Sequence, residues 1–302
     1  MEVRALIEQI RGDNTSGAAE LTRRGAEVLI ALAETSEARS ASQFLAELLE
    51  VGKALIEAQP SMASLFNLVN ATLLKVEGLR EVREMKEAAG AAAEGFVADL
   101  QKGAELIGEQ AARLIEDGAT IMTHSYSSTV LRGLLLAKAR GKSFEVICTE
   151  SRPICEGRDL AVRLGEQEIK VTLIIDAAAF RFLPQAQMVM VGADSVLTQG
   201  LVNKIGTYGL AIAAKAHDVP FYALCGTEKF LPNSASHLFS IETKDPGEIL
   251  AEPTQNVEAI NYYFDVTPLE YLTGVVTEKG ILSPTEVKGL LGEMKVHEGL
   301  QC

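Results

Sequence analysis

Residues 119–149 read ATIMTHSYSSTVLRGLLLAKARGKSFEVICT, and the fold is decided there. A short β-rich run (ATIMTH, 119–124) gives way to a polar cluster, then to a segment with helical spacing (128–141), then to a second β-rich run (SFEVIC, 143–148). The alternation continues through GRDLAVRLGEQE (157–168), KVTLIID (170–176), QMVMVGAD (187–194) and VPFYALCG (219–226). Strand, helix and strand in regular series imply right-handed crossovers and a parallel sheet. The near-continuous apolar character of TLII and MVMV fits strands covered on both faces. The expected class is α/β, a Rossmann-like doubly wound parallel sheet. The tail from Asn261, with FDVTPLEYL and TEKGILSPTEV, reads as ordered connections and a final helix packing back onto the domain.

Upstream of Gly118 the pattern is helical throughout. Phe44, Leu45, Leu48, Leu49, Val51, Leu55 and Ile56 recur mostly at steps of three, four and seven before Pro60, the spacing of one buried helix face. Asp13, Asn14, Thr15 and Ser16 offer N-cap side chains ahead of GAAELTRRGAEVLIALAE (17–34). From Leu79 to Asp117 the chain is rich in Ala, Glu, Lys and Leu and reads as one long helix or two collinear ones. The expected division is therefore an N-terminal helical bundle, 1–118, and a Rossmann-like ligand-binding domain, 119–302.

Composition narrows the partners. The 302 residues carry a formal net charge of −13, a field that repels nucleic acid. No secretory signal or membrane-length apolar run is evident, so a cytoplasmic protein is expected. Cys148, Cys155, Cys225 and Cys302 form no CxxC pair and no zinc spacing, which leaves them as buried small hydrophobes in a reducing compartment. Neither a metal nor a cofactor is expected.

In an open parallel sheet, ligands collect beyond the carboxyl ends of the strands. The polar residues there include His124, Ser125, Arg152, Arg158, Asp194, Asn203, Lys204 and Lys229. Arg152, Arg158 and Lys204 form the expected phosphate cradle, since guanidinium forks and helix N-termini both suit phosphate oxygens. Each also has a structural reading as a surface cation or a carboxylate partner. Asp194, at the tip of QMVMVGAD, is the candidate for proton transfer or for gripping a sugar hydroxyl, with a turn cap as its alternative. His124 reads as a proton carrier or as a hydrogen-bonded structural residue. Ser125 has no evident His/Asp relay. Asn203 and Lys204 lie in Gly200–Thr207, read as a loop or as the start of the next helix.

THSYS (123–127), TESRPICEGR (149–158), VMVGADSVLTQG (189–200), NKIGTYGLAIAAKAHDVPFYALC (203–225), FDVTPLEYL (264–272) and TEKGILSP (277–284) occur in an order that strongly resembles one family. It holds the regulatory α, β and δ subunits of eukaryotic initiation factor 2B, methylthioribose-1-phosphate isomerase and ribose-1,5-bisphosphate isomerase. The resemblance implies a helical domain followed by a Rossmann-like domain, and for the isomerases an aldose-to-ketose conversion using a cysteine and an aspartate. The aspartate corresponds to Asp194, whereas Ser125 stands where the isomerases have the cysteine. Their Arg-Gly-Ala substrate clamp corresponds to Ser16-Gly17-Ala18, so its arginine is missing. THSYS is similar to the α-subunit form of the motif. The reading these departures favour is a regulatory protein binding a sugar phosphate or nucleoside monophosphate through Ser16, Gly17, His124, Arg152, Arg158, Asn203, Lys204 and Lys229. The alternative is a sugar-phosphate isomerase with Ser125 and Asp194 at the chemistry. The resemblance further implies a homodimer or hexamer, and a translation-factor partner where the host has one.

Overall fold

The computed structural model describes residues 3–13, 16–252 and 255–301. Five helices come first: α1 (Val3–Arg11), α2 (Ala18–Thr35), α3 (Ala41–Ala58), α4 (Ala63–Val76) and α5 (Val82–Leu114). In α3 the side chain of Ser40 accepts the Gln43 N–H at 3.2 Å, an N-cap, and Phe44, Leu48, Leu55 and Ile56 are buried on one face as their spacing requires. The expected cap of α2 falls partly on Asn14 and Thr15, outside the described residues. Its N-cap position is Gly17, with no side-chain cap bond. α5 is a single helix of 33 residues, its glycines outweighed by Ala, Glu and Leu.

The second half supplies β1 (Ala119–Thr123), α6 (Ser128–Ala139), β2 (Phe144–Thr149), α7 (Gly157–Glu166), β3 (Lys170–Ile174), α8 (Ala179–Phe182), β4 (Met188–Val191), β5 (Ser195–Val196), β6 (Leu201–Lys204), α9 (Thr207–Ala216) and β7 (Phe221–Leu224). A two-stranded ribbon, β8 (Thr243–Lys244) with β9 (Asn261–Tyr262), precedes β10 (Phe264–Thr267), β11 (Gly274–Thr277), β12 (Gly280–Leu282) and α10 (Pro284–Glu293). The main sheet has the order β12-β11-β7-β4-β1-β2-β3, parallel except for β12. The five strands expected from the apolar runs are therefore contiguous in one parallel sheet.

Three features differ from the expectation. The tail is not only connections and a helix: β11 joins the parallel sheet beside β7, and β12 turns back as a hairpin on it. β3 is the sheet edge rather than a strand covered on both faces, with Leu173 and Ile175 exposed. Asn203 and Lys204 lie in neither a loop nor a helix start: β6 runs antiparallel between β5 and β10, because Leu201 and Val202 bury against the core, and α9 begins only at Thr207.

Packing crosses the expected boundary at residue 118. Ile107, Ala111 and Ala112 of α5 share a core with Ile121, Val146 and Met190 of the sheet. In return Leu197, Val202, Leu231, Val296 and Leu300 enter the core of the helical part. Polar side chains fix α4 over the strand tips: Ser195 Oγ accepts the Ala63 N–H at 2.7 Å, and Asn67 Nδ2 donates to the Glu228 and Phe230 carbonyls at 2.6 and 2.8 Å. The N-terminal helices thus roof the carboxyl edge of the sheet. Among the described residues no helix is long and apolar enough to cross a membrane.

The start of α9 carries a pH-sensitive contact. Gly206 and Tyr208 donate their N–H groups to the Asp265 carboxylate at 2.8 and 3.2 Å, and burial nevertheless pushes its pKa up to about 6. The folded chain therefore holds this proton more tightly than the unfolded chain. Its stabilising contribution is full below the ordinary aspartate value and is lost as pH rises through about 6. Asp265→Asn keeps an acceptor for both N–H groups without the buried charge. Its melting temperature is expected to equal or exceed wild type at pH 7.5, with the difference shifting toward wild type by pH 5.

Candidate functional site

Between the helical roof and the strand tips lies a cavity of about 650 Å³. That size suits a small-molecule ligand. Its walls come from the start of α2, the middle of α5, the β1–α6 turn, the start of α7, the strand ends at Asp194 and Lys204, and the turn at Glu228-Lys229.

The turn after β1 is built around two fixed groups. His124 is buried, with Nε2 2.8 Å from the Ile205 carbonyl and Nδ1 2.6 Å from Thr149 Oγ1. A carbonyl can only accept, so Nε2 carries the proton and Nδ1 accepts from the threonine. Burial lowers its pKa and keeps it neutral. His124 ties β1, β2 and the turn after β6 together and does not line the cavity. That turn needs a glycine: Gly206 has φ 103°, and a Cβ there would lie 3.2 Å from the His124 ring. Ser125, at φ 70°, donates its N–H to Ser151 Oγ at 2.7 Å and its hydroxyl to Glu156 Oε1 at 2.7 Å.

The expected cradle of three cations does not assemble. Only Lys204 of the three lines the cavity. The Arg152 side chain is exposed and reaches the Glu248 carbonyl at 3.4 Å, and its backbone N–H, with that of Ser151, goes to the Asp176 carboxylate. Arg158 pairs with Glu150 at 2.5 Å on the outer face of α7. The TESRPICEGR loop turns these two guanidiniums outward and Glu156 inward. Lys204 is buried, 2.8 Å from Glu156 Oε1 and 4.7 Å from the centre of the Tyr263 ring.

Of the other expected residues all but His124 line the cavity. Ser16 and Gly17 line it at the open end of α2, and Asn203 lies beside Lys204, its Nδ2 donating to Thr207 Oγ1 at 3.0 Å. Lys229 Nζ donates to the Ala193 carbonyl at 2.5 Å, next to Asp194. The backbone N–H of Asp194 goes to the Val202 carbonyl at 2.9 Å, while no hydrogen bond reaches its carboxylate from any described residue. Burial raises the Asp194 pKa, against the pull of Lys229 and Lys204.

Sequence reasoning missed Glu156, Glu228 and the cations Arg23, Arg132 and Arg163, all lining the cavity. Helical spacing held a signal for two of them: Arg163 is seven residues after Glu156, hence on the same face of α7. Arg23, less than two turns into α2, sits at the mouth where the Arg-Gly-Ala arginine is missing, although Glu20 holds it at 2.6 Å. Among the described residues six Lys/Arg and six Asp/Glu side chains line the space, so it is an interleaved set of acids and bases rather than a plain anion well. None of the described cysteines lines it. Cys148 and Cys225 are buried, and burial pushes the Cys148 thiol up to about 12, whereas Cys155 is only partly covered. Cys302 lies outside the described residues. Among the described residues no group of His, Cys, Asp and Glu could hold a metal ion.

Known proteins resemble this chain over most of its length. A ribose 1,5-bisphosphate isomerase of Pyrococcus furiosus is 34% identical over 303 residues, covering 97% of this chain and 94% of the relative. A putative translation initiation factor eIF-2B subunit 2-like protein of the same organism is 36% identical over 282 residues, covering 92% and 95%. The crystal structure of the Pyrococcus horikoshii translation initiation factor eIF-2B superposes with a TM-score of 0.81 at 34% identity, over 93% of this chain and 97% of that one. The sequence model of the initiation factor 2 subunit family matches residues 14–284, and the chain belongs to that family.

Proposed function

We propose that this chain is an aldose–ketose isomerase acting on a C1-phosphorylated pentose, with ribose 1,5-bisphosphate as the first candidate. The observation that carries the reading is the carboxylate of Asp194: tucked beside the cavity, without a hydrogen bond from any described residue, and flanked by Lys204 and Lys229. A half-buried carboxylate kept without a hydrogen-bond donor costs stability, and such groups concentrate where protons are moved. The whole-length relative named as a ribose 1,5-bisphosphate isomerase supports the same conclusion. It shifts the balance from the regulatory reading to the isomerase.

The residues divide the work. Arg23, Arg132 and Arg163, with the free N–H groups at the start of α2, offer donors for phosphate oxygens at the cavity wall. Asp194 removes the C2 proton and returns it at C1. Lys204 and Lys229 temper the charge changes on Asp194 and on the enol intermediate. Residues of α2 and α5 cover the cavity on the side away from the strand tips, where they would limit water's access to the enol.

A second reading has its own support. Ser125 replaces the isomerases' thiol, and a relative of similar identity is named as an initiation-factor-like protein. One experiment separates them: incubate the chain with ribose 1,5-bisphosphate and follow ³¹P and ¹³C NMR. Conversion to the 2-ketose bisphosphate is expected. Thermal stabilisation by the sugar phosphate without conversion would replace the isomerase with a binding protein.

A further inference from the structure

We propose that Glu156, working through the Ser125 hydroxyl and together with Lys204, is the proton store that takes the place of a catalytic thiol in this chain. The inference rests on the isomerase reading and deepens it. Ser125 Oγ donates to Glu156 Oε1 at 2.7 Å, and Lys204 Nζ meets the same oxygen at 2.8 Å. The other oxygen, Oε2, is buried with no hydrogen-bond partner among the described residues. A carboxylate kept for structure alone would have both oxygens satisfied, because an orphaned buried acceptor is expensive. Glu156 lines the cavity with Ser125 and Asp194, so the pair and the lone aspartate share one space.

The chemistry needs two kinds of proton transfer. A phosphate on C1 keeps the sugar ring closed, so isomerisation begins by breaking the C1–O4 bond. In that step the C2–H electron pair becomes the C1=C2 π bond, and the C1–O4 pair leaves on O4. Asp194 receives the C2 proton. Ser125 gives its hydroxyl proton to O4 and takes one from the Glu156–Lys204 pair. In the second step the proton of the C2 hydroxyl passes to Ser125, whose own proton returns to that pair. The O–H pair becomes the C2 carbonyl, and the π pair takes the Asp194 proton at C1. The substrate ends as its ketose isomer, and each protein group ends as it began.

Serine suits this task only with such a partner. Its hydroxyl does not ionise near neutral pH, whereas a cysteine thiol, with a pKa of about 8.5, can. Passing a proton between oxygens along a hydroxyl hydrogen bond requires no ionised serine, only an acid or base behind it. The carbon-bound proton, which does need a direct base, is left to Asp194.

The test compares wild type with Glu156→Gln, Ser125→Cys and the double variant, each checked by thermal melting. Glutamine keeps an oxygen for Lys204 and Ser125 but cannot take a proton. The expected result for Glu156→Gln is a loss of about 10²–10⁴-fold in kcat for ribose 1,5-bisphosphate with KM changed less than about fivefold. Adding Ser125→Cys to that variant restores at least about tenfold, because a thiol ionises without the relay. A purely structural Glu156 would not be rescued in this way. Unchanged kcat in Glu156→Gln, or a double variant as inactive as the single one, overturns the relay while leaving the isomerase intact. A wild type that binds the sugar bisphosphate without turning it over removes the isomerase reading and the relay with it.

Discussion

Asp194→Asn is expected to lower kcat for ribose 1,5-bisphosphate by about 10²–10⁴-fold while the substrate binds as tightly as before or tighter. The two halves of this expectation have one cause. The amide cannot accept the C2 proton, so the carbon transfer loses its base. The same change deletes a negative charge beside Lys204 and Lys229, which are then freer to attract an anionic sugar. Stability should change little, because the carboxylate is only half-buried and the two lysines keep Glu156 and the Ala193 carbonyl as partners. In the wild type, burial holds the Asp194 pKa above the ordinary aspartate range, so activity should fall with acidification earlier than an exposed aspartate would dictate. Rates of conversion and isothermal titration of the bisphosphate, measured on both proteins, check the two halves separately. A variant with wild-type kcat would remove Asp194 from the chemistry.

How much of this was legible beforehand depends on the range of the interaction that decides each feature. The strands β1, β2, β4 and β7 were readable because each is a short apolar run between turn residues, and the helix α5 because nothing in 33 residues favours another structure. Asp194 and Lys229 were named from the rule about parallel strand ends, and Lys204 lines the cavity from the end of the antiparallel β6 instead. What failed was orientation. Arg152, Glu156 and Arg158 all lie in one ten-residue stretch from the end of β2 to the start of α7, and no periodicity says which of them turns inward. The Asp176 carboxylate decides it by accepting the N–H groups of Ser151 and Arg152 from another strand's tip, a contact 24 and 25 residues away in sequence. β6 was hidden for a similar reason: all four of its residues pair with β10, some sixty residues on, and only two of them with the nearby β5. The edge position of β3 depends on sheet order, which its own apolar composition does not encode. Ser125 alone looked like a lost catalytic group, and it acquires a different meaning only once Glu156 is seen 2.7 Å away.

Gly157→Ala is expected to damage both fold and site, and it tests whether the inward turn of that loop is as tightly determined as the geometry implies. Gly157 opens α7 and is buried directly after Glu156. A Cβ there would fall 1.9 Å from the Thr149 carbonyl oxygen, 3.0 Å from Ser151 Oγ and 3.1 Å from the Glu150 carbonyl oxygen. Two of these three are backbone atoms, and Thr149 ends β2 inside the sheet, so neither side can yield by rotating a side chain. α7 must move away from the strand tip, taking Glu156 from Ser125 and loosening Ser151 from the Ser125 N–H. Overpacking of this kind costs about 3 kcal/mol or more, which in a chain of this size corresponds to a melting temperature about 6–12 °C lower. Gly165, in the last turn of the same helix, is the internal control, because a Cβ there meets nothing within 4 Å. Gly165→Ala should be neutral or stabilising by up to about 1 kcal/mol, from the helix preference of alanine alone. Should Gly157→Ala melt like Gly165→Ala and keep full turnover, α7 has room to shift without cost, and the register that presents Glu156 to Ser125 is not fixed by the close approach of helix and strand.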